Sequence, residues 1–432
     1  MNMKKIFQYI ILVIATIVAV SCTSDIENTT VKTGKSNILF VVGDFPTFGD
    51  SQTRAVGTPD EGKTSWEAGD ELLLEVNSRT LGAKYATFTY NGNKWELTSG
   101  EPAYKEDEVP FIPHVYYAPN YKWESGKLTL KEGKVPGMDE YIEGTAQITP
   151  NGEGITVSFS NATRSYSRLR IATIPNKAIT VVTNKFVPAQ GSGPVEVTYS
   201  LTSDNNGNAF LYGNFEESSS VTVKYEGTSL AAYKFSQATV KGKSYALDAT
   251  VVSLADEAIT FEQIVEAVKN EFDAGKTNIN LTLAHDTDST VLDAIHYGLA
   301  EAGYCSINLT LMGCKKIPSK GFMSWGMLKS IALPDVTEIE ENAFSGCAWL
   351  QKVVFGNLTK VYGKADINGI FEGCTTKDID LVLSKDQKVM NGGDIEGGQY
   401  CWTPDNTENY RGSDDHNAIE FLGYKFKSIT CE

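Results

Sequence analysis

Between Cys22 and Cys305 the sequence contains no cysteine, which excludes disulfides from more than half of the chain. Histidine is also scarce. The four residues His114, His285, His296 and His416 are scattered, with no H-E-x-x-H pattern and no C-x-x-C to suggest a metal site. No G-x-S-x-G nucleophile motif occurs either. Basic residues are outnumbered, 38 against 54 acidic, for a formal charge of −16. That balance argues against nucleic acid as a partner, because phosphates reward clustered Lys and Arg. Outside the first 20 residues, no stretch approaches the roughly 20 apolar residues of a membrane-spanning helix. These absences leave an acidic protein, for which no catalytic role, metal or cofactor is expected.

The most informative stretch is the N-terminus. Lys4 and Lys5 precede an apolar run, Ile10 to Val20, broken only by Thr16, and Ala19-Val20-Ser21 leads into Cys22. A charged start, a short apolar core and small residues before the cut define a signal peptide. With a cysteine at the cut, residues 1–21 resemble a bacterial lipoprotein signal. That resemblance implies lipidation of Cys22, anchoring in the outer membrane and display at the cell surface. Removing residues 1–21 leaves 411 residues and a formal charge of −18, because the segment carries two lysines and no acid. A chain of that length is expected to form two or three domains.

Residues 22–35 are small and polar and read as a tether from the lipid. From 36 to 251 the chain reads as β-rich. Thr87 to Tyr90 alternates before Asn91-Gly92, and Val195 to Leu201 alternates before Asn206-Gly207. Asn-Gly between alternating runs predicts hairpins. Ile38-Leu39-Phe40-Val41-Val42 has the pattern of a fully buried strand.

Near residue 254 the pattern changes. Thr260-x-x-Gln263 is a capping box ahead of Phe261, Ile264, Val265, Val268 and Phe272, which follow a helical period up to Gly275. A second helix is predicted from Ser289 to Gly303. Around these helices the chain repeats itself: Leu328-x-x-Ile331-x-Leu333 returns as Leu350-x-x-Val353-x-Phe355, and Ile379-x-Leu381-x-Leu383 follows. Aligning Leu281, Leu309, Ile331, Val353 and Leu381 gives steps of 28, 22, 22 and 28 residues, the period of leucine-rich repeats. One such strand cannot bury its face alone, so copies stack. Cys314, Cys347 and Cys374 each follow a glycine ahead of the next copy and are expected to be buried, inert thiols. Cys401 and Cys431 are free to pair.

Two family resemblances follow. Thr53-Arg54-Ala55, Trp66-Glu67-Ala68-Gly69-Asp70, Val115-Tyr116-Tyr117-Ala118-Pro119, Arg168-Leu169-Arg170-Ile171 and Lys241-Gly242-Lys243-Ser244-Tyr245, in this order, resemble the fimbrillin family of type V pilus subunits. Ile339 to Leu350 and the degraded copy Ile370 to Cys374 resemble BspA-like leucine-rich repeats. The implied fold is mainly β: two tandem β-sandwich (transthyretin-like) subdomains, then a small α/β leucine-rich-repeat domain. Its expected units are 36–155 and 156–251 for the sandwiches and 252–432 for the repeat domain with its helical cap. The fimbrillin resemblance implies maturation by cleavage between Arg54 and Ala55. Release of the strand Ile38 to Val42 would let a donated β-strand from another fimbrillin subunit take its place. The C-terminal segment from Glu420 to Phe426 reads as a strand closing its own domain. Such a subunit accepts a strand but does not donate one, which suits a minor or tip position.

Other chemistry is weaker. Gly57 to Thr64 has P-loop spacing, but a polar loop precedes it, a strand follows it, and Asp60 and Glu61 would repel phosphate. The paired acids Asp286/Asp288 and Asp414/Asp415 suit solvated surface better than catalysis or calcium. Trp325, Trp349 and Trp402 are candidate ligand contacts, since aromatic faces stack on sugars and anchor interfaces. The expected role is thus a cell-surface adhesin or tip pilin that binds a host protein or glycan and is released into pili after cleavage. Two alternatives stand: a lipid-anchored glycan-binding protein outside any pilus, and a secreted hydrolase whose paired acids share a cleft.

Overall fold

The computed structural model describes residues 37–48, 62–79, 81–102, 111–151, 154–159, 162, 164–191, 193–256, 258–284, 288–300, 306–364, 369–411 and 420–432. Cys22, Arg54, Ala55, Cys305 and the acids Asp286, Asp414 and Asp415 lie outside them. Among the described residues the chain is mainly β, in several sheets, with two α-helices.

The N-terminal unit contains β1 (Asn37–Val42), β2 (Glu71–Ser78), β3 (Gly82–Tyr90), β4 (Trp95–Gly100), β5 (Phe111–Tyr117), β6 (Tyr121–Glu124), β7 (Lys127–Leu130), β8 (Ile142–Thr145), β9 (Gln147–Asn151) and β10 (Gly154–Phe159). Five of them form a sheet in the order β4-β3-β2-β5-β8, and three form another, β1-β10-β9. Both sheets contribute to one core. Leu72, Leu74 and Val76 alternate inward from β2, and Phe40, Val157 and Phe159 come from the smaller sheet. β10 runs across the expected boundary at 155 and belongs to this unit, since it pairs with β1 along all six residues of that strand. β1 is not the fully buried strand its composition suggests. Among the described residues it is an edge strand with β10 as its one neighbour, Phe40 buried and Val41 and Val42 half-buried.

The middle unit contains β11 (Ser167–Ala172), β12 (Ala178–Pro188), β13 (Val195–Thr202), β14 (Asn208–Tyr225), β15 (Thr228–Lys234) and β16 (Ser244–Asp248). All six join one sheet, β13-β12-β14-β11-β16 with β15 on β14, in place of two separate layers. Irregularities set Lys185 and Ser218 at positive φ in β12 and β14. Bulges of this kind bend a sheet enough to fold it over its own core. The Asn206-Gly207 hairpin is not formed: β13 and β14 both pair with β12, and Gly207 serves a turn that donates no strand pair. Asn91-Gly92 does lie in a hairpin, β3–β4, but in a four-residue loop whose Asn91 side chain accepts from the amides of Asn93 and Lys94.

The C-terminal unit contains β17 (Val252–Leu254), the helix Phe261–Asp273, β18 (Asn278–Leu283), the helix Ser289–Leu299, β19 (Ile307–Met312), β20 (Lys316–Ile317), β21 (Leu328–Leu333), β22 (Glu338–Ile339), β23 (Lys352–Phe355), β24 (Lys360–Gly363), β25 (Asp380–Leu383), β26 (Lys388–Glu396), β27 (Gln399–Asn409), β28 (Glu420–Phe421), β29 (Tyr424–Lys425) and β30 (Ser428–Cys431). The Thr260/Gln263 capping box starts the first helix, and Asp288 caps the second. A seven-stranded, wholly parallel sheet runs β17-β18-β19-β21-β23-β25-β30. Leu309, Ile331, Val353 and Leu381 stand opposite one another, as their spacing predicts. The first step differs: Ile279, not Leu281, faces Leu309, and Leu281 faces Leu311. A two-residue slip keeps every side chain on its own face, so the apolar pattern cannot detect it.

Behind this sheet Phe322, Phe344 and Phe371 stack, with ring centres 5.1 and 5.4 Å apart. Cys347 Sγ donates to Phe322 O, and Cys374 Sγ to Phe344 O, one layer on. Cys314 occupies a different position, donating to Lys316 O. Among the described cysteines none is joined to another in a disulfide, Cys401 and Cys431 included, and Cys374 is half-buried rather than buried as expected. The last strand is also corrected. Glu420 to Phe426 forms a tight hairpin around Leu422 and Gly423, both at positive φ, and β30 closes the sheet. Phe421, Tyr424 and Phe426 plug the end of the core.

Candidate functional site

Residues 37–48 run across the N-terminal unit and reach the middle unit, and each stretch is held by a different kind of contact. β1 supplies a ladder to β10, and Gly43 N–H extends it by donating to Phe159 O at 2.9 Å. The ring of Phe40 stacks on Phe88 at 4.7 Å between the two sheets. Phe45 sits edge-on to Trp66 (4.7 Å) and Tyr117 (5.2 Å), while Trp66 Nε1 donates to Gly43 O at 2.8 Å. Lys63 stands over both the Phe45 and Tyr117 rings, fixed by Asp70. This explains Lys63 without phosphate: the lysine of the P-loop pattern is already held by an acid and two rings.

Phe48 reaches furthest. The guanidinium carbons of Arg164 and Arg168 stand 3.8 and 4.8 Å from its ring centre, within the range of cation–π attraction. Arg164 donates from Nε (3.0 Å) and Nη2 (2.7 Å) to the two oxygens of Glu140, and from Nη1 to Pro46 O. Tyr166 O–H also donates to Glu140. Burial works against the Arg164 charge, but Glu140 outweighs it and holds the guanidinium above its ordinary value. Burial, reinforced by Glu140, pushes the Tyr166 phenol well up. Arg168 is fixed by Ser244 Oγ at 3.0–3.1 Å. Gly62 packs beside the same cluster: a Cβ there would stand 2.5 Å from Arg168 Nη1 and 3.2 Å from Phe48. The two ends of the interval that contains Arg54 and Ala55, Phe48 and Gly62, therefore lie side by side.

A second polar arrangement occupies the open face of the parallel sheet. Asn278, Asn308, Ser330, Lys352, Asp380 and Ser428 align in one row across six strands. Asn308 Nδ2 donates to Asn278 Oδ1 and Ser330 Oγ to Asn308 Oδ1, each at 2.7 Å. Lys427 and Ser428 hydrogen-bond Asp380 and hold its carboxyl below the usual range. Between this face and β15 lies a groove of about 200 Å³, lined by Ser229, Asn308, Thr310, Ser330 and Lys352 among others. Asn280 fixes its floor by donating to Leu230 O and Thr250 O.

The three candidate tryptophans separate. Trp325 is buried, stacked on His296 at 4.6 Å, and is a core residue rather than a ligand contact. Trp402 is half-buried, its Nε1 donating to Lys364 O. Trp349 is 61% exposed. Asp288 serves as a helix cap. Phe45, Phe48, Glu140, Arg164 and Arg168 were not singled out from sequence as site residues. The one available signal was the spacing of Phe40, Phe45 and Phe48 on an otherwise small and aliphatic segment.

No protein-family model matches the chain, and no curated protein matches it. Among solved structures, one from Bacteroides fragilis NCTC 9343, of a protein ascribed to cell adhesion without proof, overlaps 52% of this chain and 95% of its own at 12% identity. Its TM-score is 0.29, too low to define a shared fold.

Proposed function

We propose that the protein is a cell-surface adhesin or minor pilus subunit of fimbrillin type, built to accept a strand after its own N-terminal segment is cut away. One observation carries the reading. The segment 37–48 buries Phe40, Phe45 and Phe48, yet among the described residues its strand is bonded to one neighbour only. An edge strand can leave without unzipping a sheet, and its departure uncovers both a ladder edge and apolar pockets. Burying three phenylalanines is worth roughly 5–9 kcal/mol before ordering costs, enough to favour replacement over vacancy. Because Phe48 and Gly62 lie side by side, a cut at Arg54 falls between two ends that stand together, outside every strand of the described sheets. In this reading residues 1–21 direct export, Cys22 carries the lipid until the cut, and the C-terminal unit faces outward as a leucine-rich-repeat module. On the same reading the subunit ends a chain of donated strands. The test is Arg54→Ala in the producing cell. The protein is expected to remain with the outer membrane and to be missing from sheared surface filaments; unchanged incorporation into filaments would refute the reading.

A second reading has its own observation. The polar row Asn278 to Ser428 and its adjoining groove suit a hydroxyl-rich ligand such as a glycan, which needs alternating donors and acceptors. It favours a surface protein that keeps its lipid on Cys22 and binds saccharide. Saccharide binding by protein that still carries lipidated Cys22 supports it.

A further inference from the structure

The contacts of residues 37–48 identify the chemistry of whatever replaces them. β1 contributes a ladder, which any sequence can offer, so the ladder does not select a partner. Selection must come from the pockets, and the three side chains of residues 40–48 that are buried are all aromatic. Phe40 fills a slot floored by Phe88. Phe45 enters a box with Trp66 and Tyr117 on its edges and Lys63 over its face. Phe48 meets two guanidinium groups that are themselves fixed, Arg164 by Glu140 and Arg168 by Ser244. A buried guanidinium over a ring is attracted to its electron-rich face, which an aliphatic side chain of similar volume lacks.

We propose that the incoming strand is recognised by aromatic side chains spaced as in Phe40, Phe45 and Phe48, with Arg164 and Arg168 reading the last of them. This rests on the strand-replacement reading above. The partner is a different polypeptide, and not another part of a second copy. Nowhere else in the 432 residues do three aromatic residues recur at intervals of five and three. The nearest approach is Phe421, Phe426 and Ile429, all three of which lie inside the C-terminal core and the last of which is not aromatic.

The test uses the full chain with residues 51–56 replaced by the recognition sequence of a site-specific protease. After cutting, the protein is challenged with an excess of a fluorescent synthetic peptide of residues 37–48, and exchange is followed by anisotropy. The peptide is expected to exchange in. Phe48→Leu in the peptide should weaken it by about tenfold or more, given the usual worth of a desolvated cation–π contact, and Arg168→Lys in the protein should act in the same direction. Val42→Leu in the peptide should leave exchange within about twofold, as a half-buried aliphatic swap. Equal exchange of the Phe48→Leu peptide would overturn aromatic recognition and leave strand replacement standing. Failure of every peptide to exchange would overturn both.

Discussion

The Arg164 guanidinium carbon stands 3.8 Å from the centre of the Phe48 ring while its nitrogens hold both oxygens of Glu140. One side chain thereby links the N-terminal segment to a buried acid from the stretch before β8. Both ionic partners are almost wholly buried, so removing one strands the other. Arg164→Met should cost about 3–5 kcal/mol of stability, because Glu140 is left as an uncompensated buried charge. Denaturant unfolding checks this, and Glu140→Gln combined with Arg164→Met should recover part of the loss.

Phe40→Ala should destabilise the N-terminal unit by about 3–5 kcal/mol, the range for an emptied aromatic site in a packed core. Its ring contacts Phe88 across the two sheets. Val41→Ala, at a half-buried position of the same edge strand, should cost about 1 kcal/mol or less. Equal losses would show that β1 is held by its ladder alone.

Gly313 and Gly275 have similar positive φ, 83° and 78°. A Cβ at Gly313 would stand 2.3 Å from Leu283 O, whereas one at Gly275 meets nothing. Gly275→Ala should therefore cost about 1–2 kcal/mol from backbone strain alone. Gly313→Ala adds a clash with rigid backbone and should cost visibly more. Thermal unfolding of the two variants side by side gives the comparison.

His296 stacks on Trp325, and burial lowers its pKa below the ordinary value, with Asp293 opposing. The folded state therefore resists the proton that the unfolded chain accepts near pH 6.5. Stability from this site is complete above about pH 6.5 and declines as pH falls through the folded value. His296→Phe keeps a ring against Trp325 and removes the titration. Its stability should fall less between about pH 6.5 and 5 than that of the parent.

Cys347 is buried and its thiol is pushed up to about 12 by burial, then by the neighbouring Cys374. Thiolate is the reactive form. Cys347 should stay unlabelled by a thiol reagent in the folded protein and react when the chain is unfolded, as read by mass spectrometry of its peptide.

The parallel stack was legible because its constraint is local and periodic. Ile331, Val353 and Leu381 each had to present an inward side chain at a fixed interval, and the spacing recorded it. The capping box at Thr260 was legible for the same reason. The first register step was not, because placing Ile279 opposite Leu309 buries the same face as placing Leu281 there. A third copy of the aromatic turn was also readable and was missed: Phe322 precedes Phe344 by 22 residues, with Lys320 and Asn342 both at positive φ. The N-terminal seat was legible only in part. The apolar run announced β1, but Arg164 meets Phe48 from 116 residues away, and no periodicity joins a loop phenylalanine to an arginine in the next unit. The bend of β14 was hidden likewise, since a bulge at Ser218 interrupts one 18-residue strand that reads as two.

The N-terminal residue of the protein taken from the cell surface tests the central claim most directly. The account predicts a chain beginning at Ala55, without residues 37–48 and with a strand of another polypeptide cross-linked to β10 in their place. A surface protein that begins at lipidated Cys22 and keeps Phe40, Phe45 and Phe48 in their pockets would contradict it.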